Sequence, residues 1–199
     1  MENNKIKELV ETLIENGDFV KGEIISVDFS KYNTNVIEIK TRDCDYEYLV
    51  VDDNERENEF YNYQESLFDD MGFNSFVPSF QETILSECLN DDRLQFDFEM
   101  DCDERAYSES IDDIREWGDI DDETSDNDAR EQYKEMLIEM YNDPVDYFKE
   151  LGYDNDFFKD YIDFDKVVEL IKEYDGYECL ASYDGIEIET DNYYVYRLN

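Results

Sequence analysis

Residues 21–51, KGEIISVDFSKYNTNVIEIKTRDCDYEYLVV, decide the fold class. Three runs inside them, 21–28, 35–40 and 46–51, are rich in Ile, Val and Tyr and alternate in part between apolar and polar. Short polar links separate them, which is the pattern of strands packed on one face against a core. Just upstream, Ile6, Leu9, Val10, Leu13 and Ile14 recur at helical spacing, so residues 4–16 predict an amphipathic helix that Gly17 stops. A helix followed by a three-stranded meander begins an α+β domain.

Downstream the pattern turns mainly helical. Phe60, Tyr63, Leu67 and Met71 predict a helix over 55–71. Ser79 and Glu82 have capping-box spacing for a second helix carrying Ile84, Leu85 and Leu89. Residues 93–100, RLQFDFEM, alternate strictly, with Leu94, Phe96, Phe98 and Met100 on one side and Gln95, Asp97 and Glu99 on the other. They predict a strand with a carboxylate-bearing outer face. Short helices follow around 108–117 and over 129–141, the latter carrying Tyr133, Met136, Leu137 and Met140. Asp143-Pro144 opens another helix, closed at Gly152. Phe157, Phe158 and Tyr161 mark a short one, and Phe164, Val167, Val168 and Ile171 a third over 163–174. The chain closes on an expected hairpin: 178–183, a turn at Asp184-Gly185, then 186–188 and 192–198. The expectation is an elongated α+β protein with small antiparallel sheets and several short acidic helices. It divides into 1–51, 52–142 and 143–199.

Charge narrows the function. The chain of 199 residues has 57 Asp and Glu against 17 Lys and Arg and no His, a net charge of −40. A protein that binds nucleic acid directly needs Lys and Arg to displace counterions, and anionic lipid repels this chain for the same reason. Without His, the commonest general base and metal ligand is missing. Disordered acidic chains are poor in aromatics, whereas here 17 Tyr, 13 Phe and 1 Trp predict a packed core rich in Tyr and Phe. Halophilic proteins are acidic too, but abundant Asn, Ile, Lys and Tyr with scarce Ala point to an AT-rich bacterial or phage genome. Cys44, Cys88, Cys102 and Cys179 are widely spaced without a CxxC, so four reduced thiols in a cytoplasmic protein are expected and no zinc site. The start is polar and lacks a signal peptide's apolar run.

The acids are densest over 97–128, with 15 acidic and 2 basic residues, net −13. Asp97, Glu99, Asp101, Asp103, Glu104, Glu109, Asp112, Asp113, Glu116, Asp119, Asp121, Asp122, Glu123, Asp126 and Asp128 are the candidate partner-binding residues. Carboxylates at i, i+3 and i+4 of a helix lie about 5–6 Å apart, comparable with phosphates along a strand. Glu109, Asp112, Asp113 and Glu116 have that spacing. Forty charges match the phosphates of about 70 Å of duplex, at one per about 1.7 Å. This pattern predicts a DNA mimic that fills a cationic groove, against the alternative of an ordinary solvated acidic face. An EF-hand does not fit: a loop begun at Asp119 would place Thr124 where Gly belongs and Arg130 where the bidentate Glu belongs. No P-loop, GxGxxG, GxSxG or HExxH is present, and the Cys residues have no His partner. Neither catalysis nor a cofactor nor a metal is expected.

The last 57 residues carry Asp143-Pro144-Val145-Asp146-Tyr147-Phe148, Leu151-Gly152-Tyr153, Tyr161-Ile162-Asp163-Phe164, Leu180-Ala181-Ser182-Tyr183-Asp184-Gly185 and a terminal Tyr196-Arg197-Leu198-Asn199. These short motifs resemble the C-terminal region of ArdA-type antirestriction proteins of phages and mobile elements. The resemblance implies an acidic, elongated mimic of bent B-form DNA that inhibits a restriction enzyme. Anti-CRISPR proteins use the same physics, so a restriction–modification complex and a Cas effector both stand as expected partners. An immunity protein that neutralises a basic nuclease toxin is the alternative. A homodimer would double the length of a mimic and suit a two-fold target.

Overall fold

A computed structural model describes the chain apart from Met1, Lys21, Val77 and Asn142, and apart from the side chains of Glu2 and Asn3. It is α+β, with a five-stranded antiparallel sheet and a larger helical content. The chain forms two compact units, Met1–Asp69 with Val168–Asn199, and Asp70–Val167.

In the first unit, helix α1 (Glu2–Glu15) precedes β1 (Ser26–Phe29), β2 (Val36–Lys40) and β3 (Asp45–Val51). The expected meander is present; Lys21, the expected first residue of its first strand, lies outside the described residues. Leu9 and Leu13 of α1 pack with Phe19, Ile37, Ile39, Tyr48, Val50 and Val195 in one buried cluster. Leu49 and Val51 point the other way and are buried as well. Burial on both faces explains why β3 ends in an unbroken apolar run where an outer strand alternates. Helix α2 (Asp53–Met71) follows. Its Arg56 guanidinium lies 3.5 Å from the ring centroid of Tyr194 and 4.2 Å from that of Tyr177.

The end of the chain returns to this sheet. Strands β4 (Glu187–Glu189) and β5 (Tyr194–Arg197) form a hairpin, and β5 pairs with β3, giving the order β1-β2-β3-β5-β4. The expected division at 51 and 142 therefore gives way: the first and last strands share one sheet. The expected strand at 178–183 is instead a 3-10 turn (Glu178–Leu180) and a turn closed by Gly185 N–H donating to the Ala181 carbonyl (2.9 Å), and the hairpin turn lies at 190–193. Tyr193 N–H donates to the Thr190 hydroxyl oxygen (3.0 Å), and Thr190 N–H to the Tyr193 carbonyl (2.8 Å). Asp184-Gly185 turns the chain before β4 rather than within the hairpin.

The second unit is helical: a 3-10 turn (Pro78–Phe80), α3 (Gln81–Glu87), α4 (Asp91–Ser108), α5 (Ile111–Gly118), α6 (Asp126–Met140), α7 (Pro144–Glu150) and a 3-10 segment (Asn155–Tyr161). Helix α8 (Phe164–Asp175) leads back to the first unit's segment. Ser79 is not the cap of α3; Phe80 holds that place with no side-chain hydrogen bond. The largest departure is 93–100, which belongs to α4 and not to a strand. Asn90 caps it, its side chain accepting from Arg93 N–H, and Leu94, Phe98, Cys102 and Ala106 are buried at four-residue intervals. Leu94 and Phe98 satisfy a period of two as well as a helical one, so the short window 93–100 misleads. The core is aromatic, as expected from composition. Tyr147 makes edge-on contacts with Phe98, Tyr141 and Phe148, with centroids 4.8–5.2 Å apart.

The helix separates two neighbouring phenylalanines. Phe98 is 1% exposed and Phe96 is 62% exposed. Phe98→Ala is expected to destabilise the protein by about 3–5 kcal/mol and Phe96→Ala by less than about 0.5 kcal/mol, measured by urea unfolding. Equal losses would restore the strand.

Candidate partner-binding surface

All 15 candidate carboxylates lie in the second unit, and the fold sorts them into two sets. Asp97, Asp101, Asp103 and Glu109 are half-buried and engaged. Asp97 accepts from the Tyr161 hydroxyl (2.8 Å) and Asp101 from the Tyr147 hydroxyl. Asp103 pairs with Lys134 (2.8 Å). Glu109 accepts from the Tyr133 hydroxyl (3.1 Å) and sits 3.7 Å from Arg105. These four tie α4 to α6, α7 and the 155–161 turn. Asp97 and Glu99, expected on one strand face, sit about 200° apart around α4. Glu109 also leaves its expected row, because it caps the C-terminus of α4 in extended conformation.

The other eleven are exposed. Some shape the backbone as well. Ser110 and Asp113 form a reciprocal cap on α5: the Ser110 hydroxyl donates to the Asp113 carboxylate (2.6 Å) and accepts from its N–H (3.2 Å). Ser125 and Asp128 repeat this on α6 at 2.6 and 3.3 Å. Asp119 ends α5 in the left-handed region (φ 52°), where Asp is better tolerated than branched residues. Asp121 accepts from Glu123 N–H (2.8 Å), Glu99 from the Gln95 amide (2.8 Å) and Asp126 pairs with Arg115 (2.9 Å). Glu104, Asp112, Glu116, Asp119, Asp122 and Glu123 have no ion-pair partner among the described residues.

The two cations of the segment face inward. Arg115 donates to the Thr124 carbonyl (2.8 Å) as well as to Asp126, and Arg105 donates to Tyr147 Oη (3.2 Å). Just beyond, Arg130 donates to the Ala106 and Glu109 carbonyls at the end of α4. The outer surface of 97–128 therefore presents carboxylates with no exposed Lys or Arg among them. Sequence reasoning missed the exposed apolar residues on and beside this segment, Phe96, Met100, Tyr107 and Trp117. The strand reading had hidden Phe96 and Met100 in the core; the four-residue series from Leu94 to Ala106 is the signal that turns them outward.

The first unit adds a groove of about 510 Å³ lined by Glu8, Glu11, Glu15, Glu189 and Asp191. Burial pushes the Cys102 and Cys179 thiols up to about 11, so both are protonated at neutral pH. No group of three or more Cys, Asp or Glu is arranged to hold a metal ion among the described residues. No helix among them is long and apolar enough to cross a membrane. No family model, curated protein or solved structure matches the chain.

Two expectations follow. Ser110→Ala and Ser125→Ala remove caps and lower stability by about 1 kcal/mol each, while Asp112→Asn stays within about 0.5 kcal/mol, read from chemical denaturation. The second concerns alkali. Burial, and for Tyr161 the hydrogen bond to Asp97, push the Tyr161 and Tyr48 phenols up to about 12 from 10.0. Above about pH 10 the unfolded phenols ionise while these two keep their protons in the fold, so stability falls from about pH 10 to about pH 12. Tyr161→Phe flattens that slope in denaturation curves taken across the window.

Proposed function

We propose that this chain is a non-catalytic inhibitor that mimics the charge of DNA. It fills the nucleic-acid-binding groove of a bacterial DNA-targeting defence complex, a restriction enzyme or a Cas effector, in the host cytoplasm. One observation carries the reading: over 97–128 the cations are turned inward and eleven carboxylates are left outside. An ordinary solvated surface mixes both signs. The second unit as a whole has 31 acidic and 8 basic residues, net −23, and the first has 26 and 9, net −17. An immunity protein needs only one local patch, so acidity in both units favours the mimic. The resemblance of the short motifs in 143–199 to ArdA-type proteins supports the mimic and puts a restriction enzyme among its targets.

The test is competition. On a purified type I restriction enzyme and a guide-loaded Cas effector, the protein displaces labelled duplex and does not form a ternary complex. Its affinity falls at least about tenfold between about 50 and about 500 mM salt. The variant Asp112→Asn, Glu116→Gln, Asp122→Asn, Glu123→Gln keeps its melting temperature, because these side chains hold no other part of the fold, and loses displacement. Simultaneous binding with DNA, or an affinity indifferent to salt, overturns the mimic. Binding confined to a basic nuclease toxin replaces it with the immunity reading.

A further inference from the structure

Helix α4 has a second face that charge mimicry does not require. Phe96, Met100 and Tyr107 are 62%, 46% and 52% exposed. At 3.6 residues per turn they fall within about 40° of one another, on the side opposite buried Leu94, Phe98, Cys102 and Ala106. The line is about 16 Å long at 1.5 Å per residue. Tyr107 is partly engaged: its hydroxyl donates to Glu131 (3.3 Å) and Arg130 lies over its ring (5.6 Å). Phe96 and Met100, one turn apart, are open to solvent. Asp92 and Glu99 flank them on one side and Glu104 and Arg93 on the other, all exposed. Arg93 is tied back to the 155–161 turn, donating to the Asp160 carbonyl (2.9 Å) and lying over the Tyr161 ring (5.2 Å), so the border is three carboxylates to one engaged cation.

We propose that this face anchors the interface. Phe96 and Met100 enter an apolar notch bordered by Arg and Lys on a cationic protein, and the flanking carboxylates meet that border. The proposal rests on the acidic surface being an interface and adds what holds the partner once charge has brought it close. Charge complementarity selects the occupant. A second copy would bring like-charged borders together across a two-fold axis, and anionic lipid and nucleic acid are repelled outright. A cationic protein groove remains. Grooves that hold nucleic acid contain apolar contacts and stacking planes for bases, and an Arg guanidinium binds the face of a Phe ring. Aromatic and Met side chains inside a charged rim are also the usual composition of an interface centre.

The test uses two synthetic peptides of equal length and charge, Arg alternating with Leu in one and with Gly in the other. At about 300 mM salt, where exposed charges are screened, the Leu peptide binds about tenfold more tightly. The double variant Phe96→Ser, Met100→Ser removes that preference and leaves low-salt binding of the Gly peptide unchanged. Methyl-labelled Met gives a readout on the unaltered chain: the Leu peptide shifts the Met100 signal before those of Met71, Met136 and Met140. Equal affinities for the two peptides, with binding that still falls as salt rises, overturn the anchor and leave the mimic standing. Binding of neither peptide at low salt overturns both. A first shift at Met71 or Met140 overturns the anchor, as does a dimer in sedimentation that the double variant dissociates.

Discussion

Like-charge repulsion is the constraint on which the rest of this structure depends. With 57 acids and 17 bases, no arrangement pairs each carboxylate with a cation. The fold eases this by setting some of its cations against carboxylates and by adding tyrosine hydroxyls as further donors, while other cations such as Lys7, Arg42 and Lys166 stay exposed. Lys5, 9% exposed at its side chain, pairs with Glu55 (2.6 Å), and Lys172 with Glu57 (2.8 Å). Arg56 sits against two tyrosine rings within reach of Asp53 and Glu187. Tyrosine hydroxyls add donors, to carboxylates with a cation partner and to carboxylates without one: Tyr147 donates to Asp101, Tyr161 to Asp97, Tyr133 to Glu109, Tyr177 to Glu57 and Tyr196 to Glu187. A phenol buries a large apolar ring and donates a hydrogen bond without carrying charge. These five tyrosines are thus part of how so acidic a chain folds.

This division of labour also shapes the outer surface. Over 97–128, carboxylates matched by a Tyr hydroxyl or a cation include those joining α4 to other elements, and unpaired ones are left on the outer faces of α4 and α5 and in the loop between α5 and α6. Helix N-termini favour nearby negative charge, which suits Asp112 and Asp113 in α5 and Asp126 and Asp128 in α6. Asp113 and Asp128 also complete the caps made by Ser110 and Ser125, and all four remain outside. A cluster of exposed negative charge is in this sense a by-product of good local capping as well as the basis of the proposed mimicry.

The elements legible in the sequence are those whose pattern is local. The spacing of Ile6, Leu9 and Leu13, the Ile and Val of the meander, and Asp143-Pro144 each report on a single element. Where the reading failed, the deciding contact was distant or the window ambiguous. Phe98 fits either period, and only burial of Cys102 and Ala106 beyond the window distinguishes them. The run Cys179-Leu180-Ala181 is apolar because Leu180 and Ala181 are buried, not because they form a strand. The exposed part of the surface was readable because 109–128 has few apolar residues to bury. That Asp97, Asp101, Asp103 and Glu109 turn inward was not, since their partners lie 24 to 64 positions away.

The pairing of β3 with β5 has a consequence during synthesis. Val51 is made long before its partner Tyr194. Every residue of the second unit is translated in the interval, so that unit is complete while the sheet still lacks two of its strands. At typical elongation rates β3 waits on the order of ten seconds with one edge unpaired. An open apolar edge invites pairing with another nascent chain. Like charge on every copy, net −40 over the whole chain, opposes such pairing until the last four-residue strand arrives.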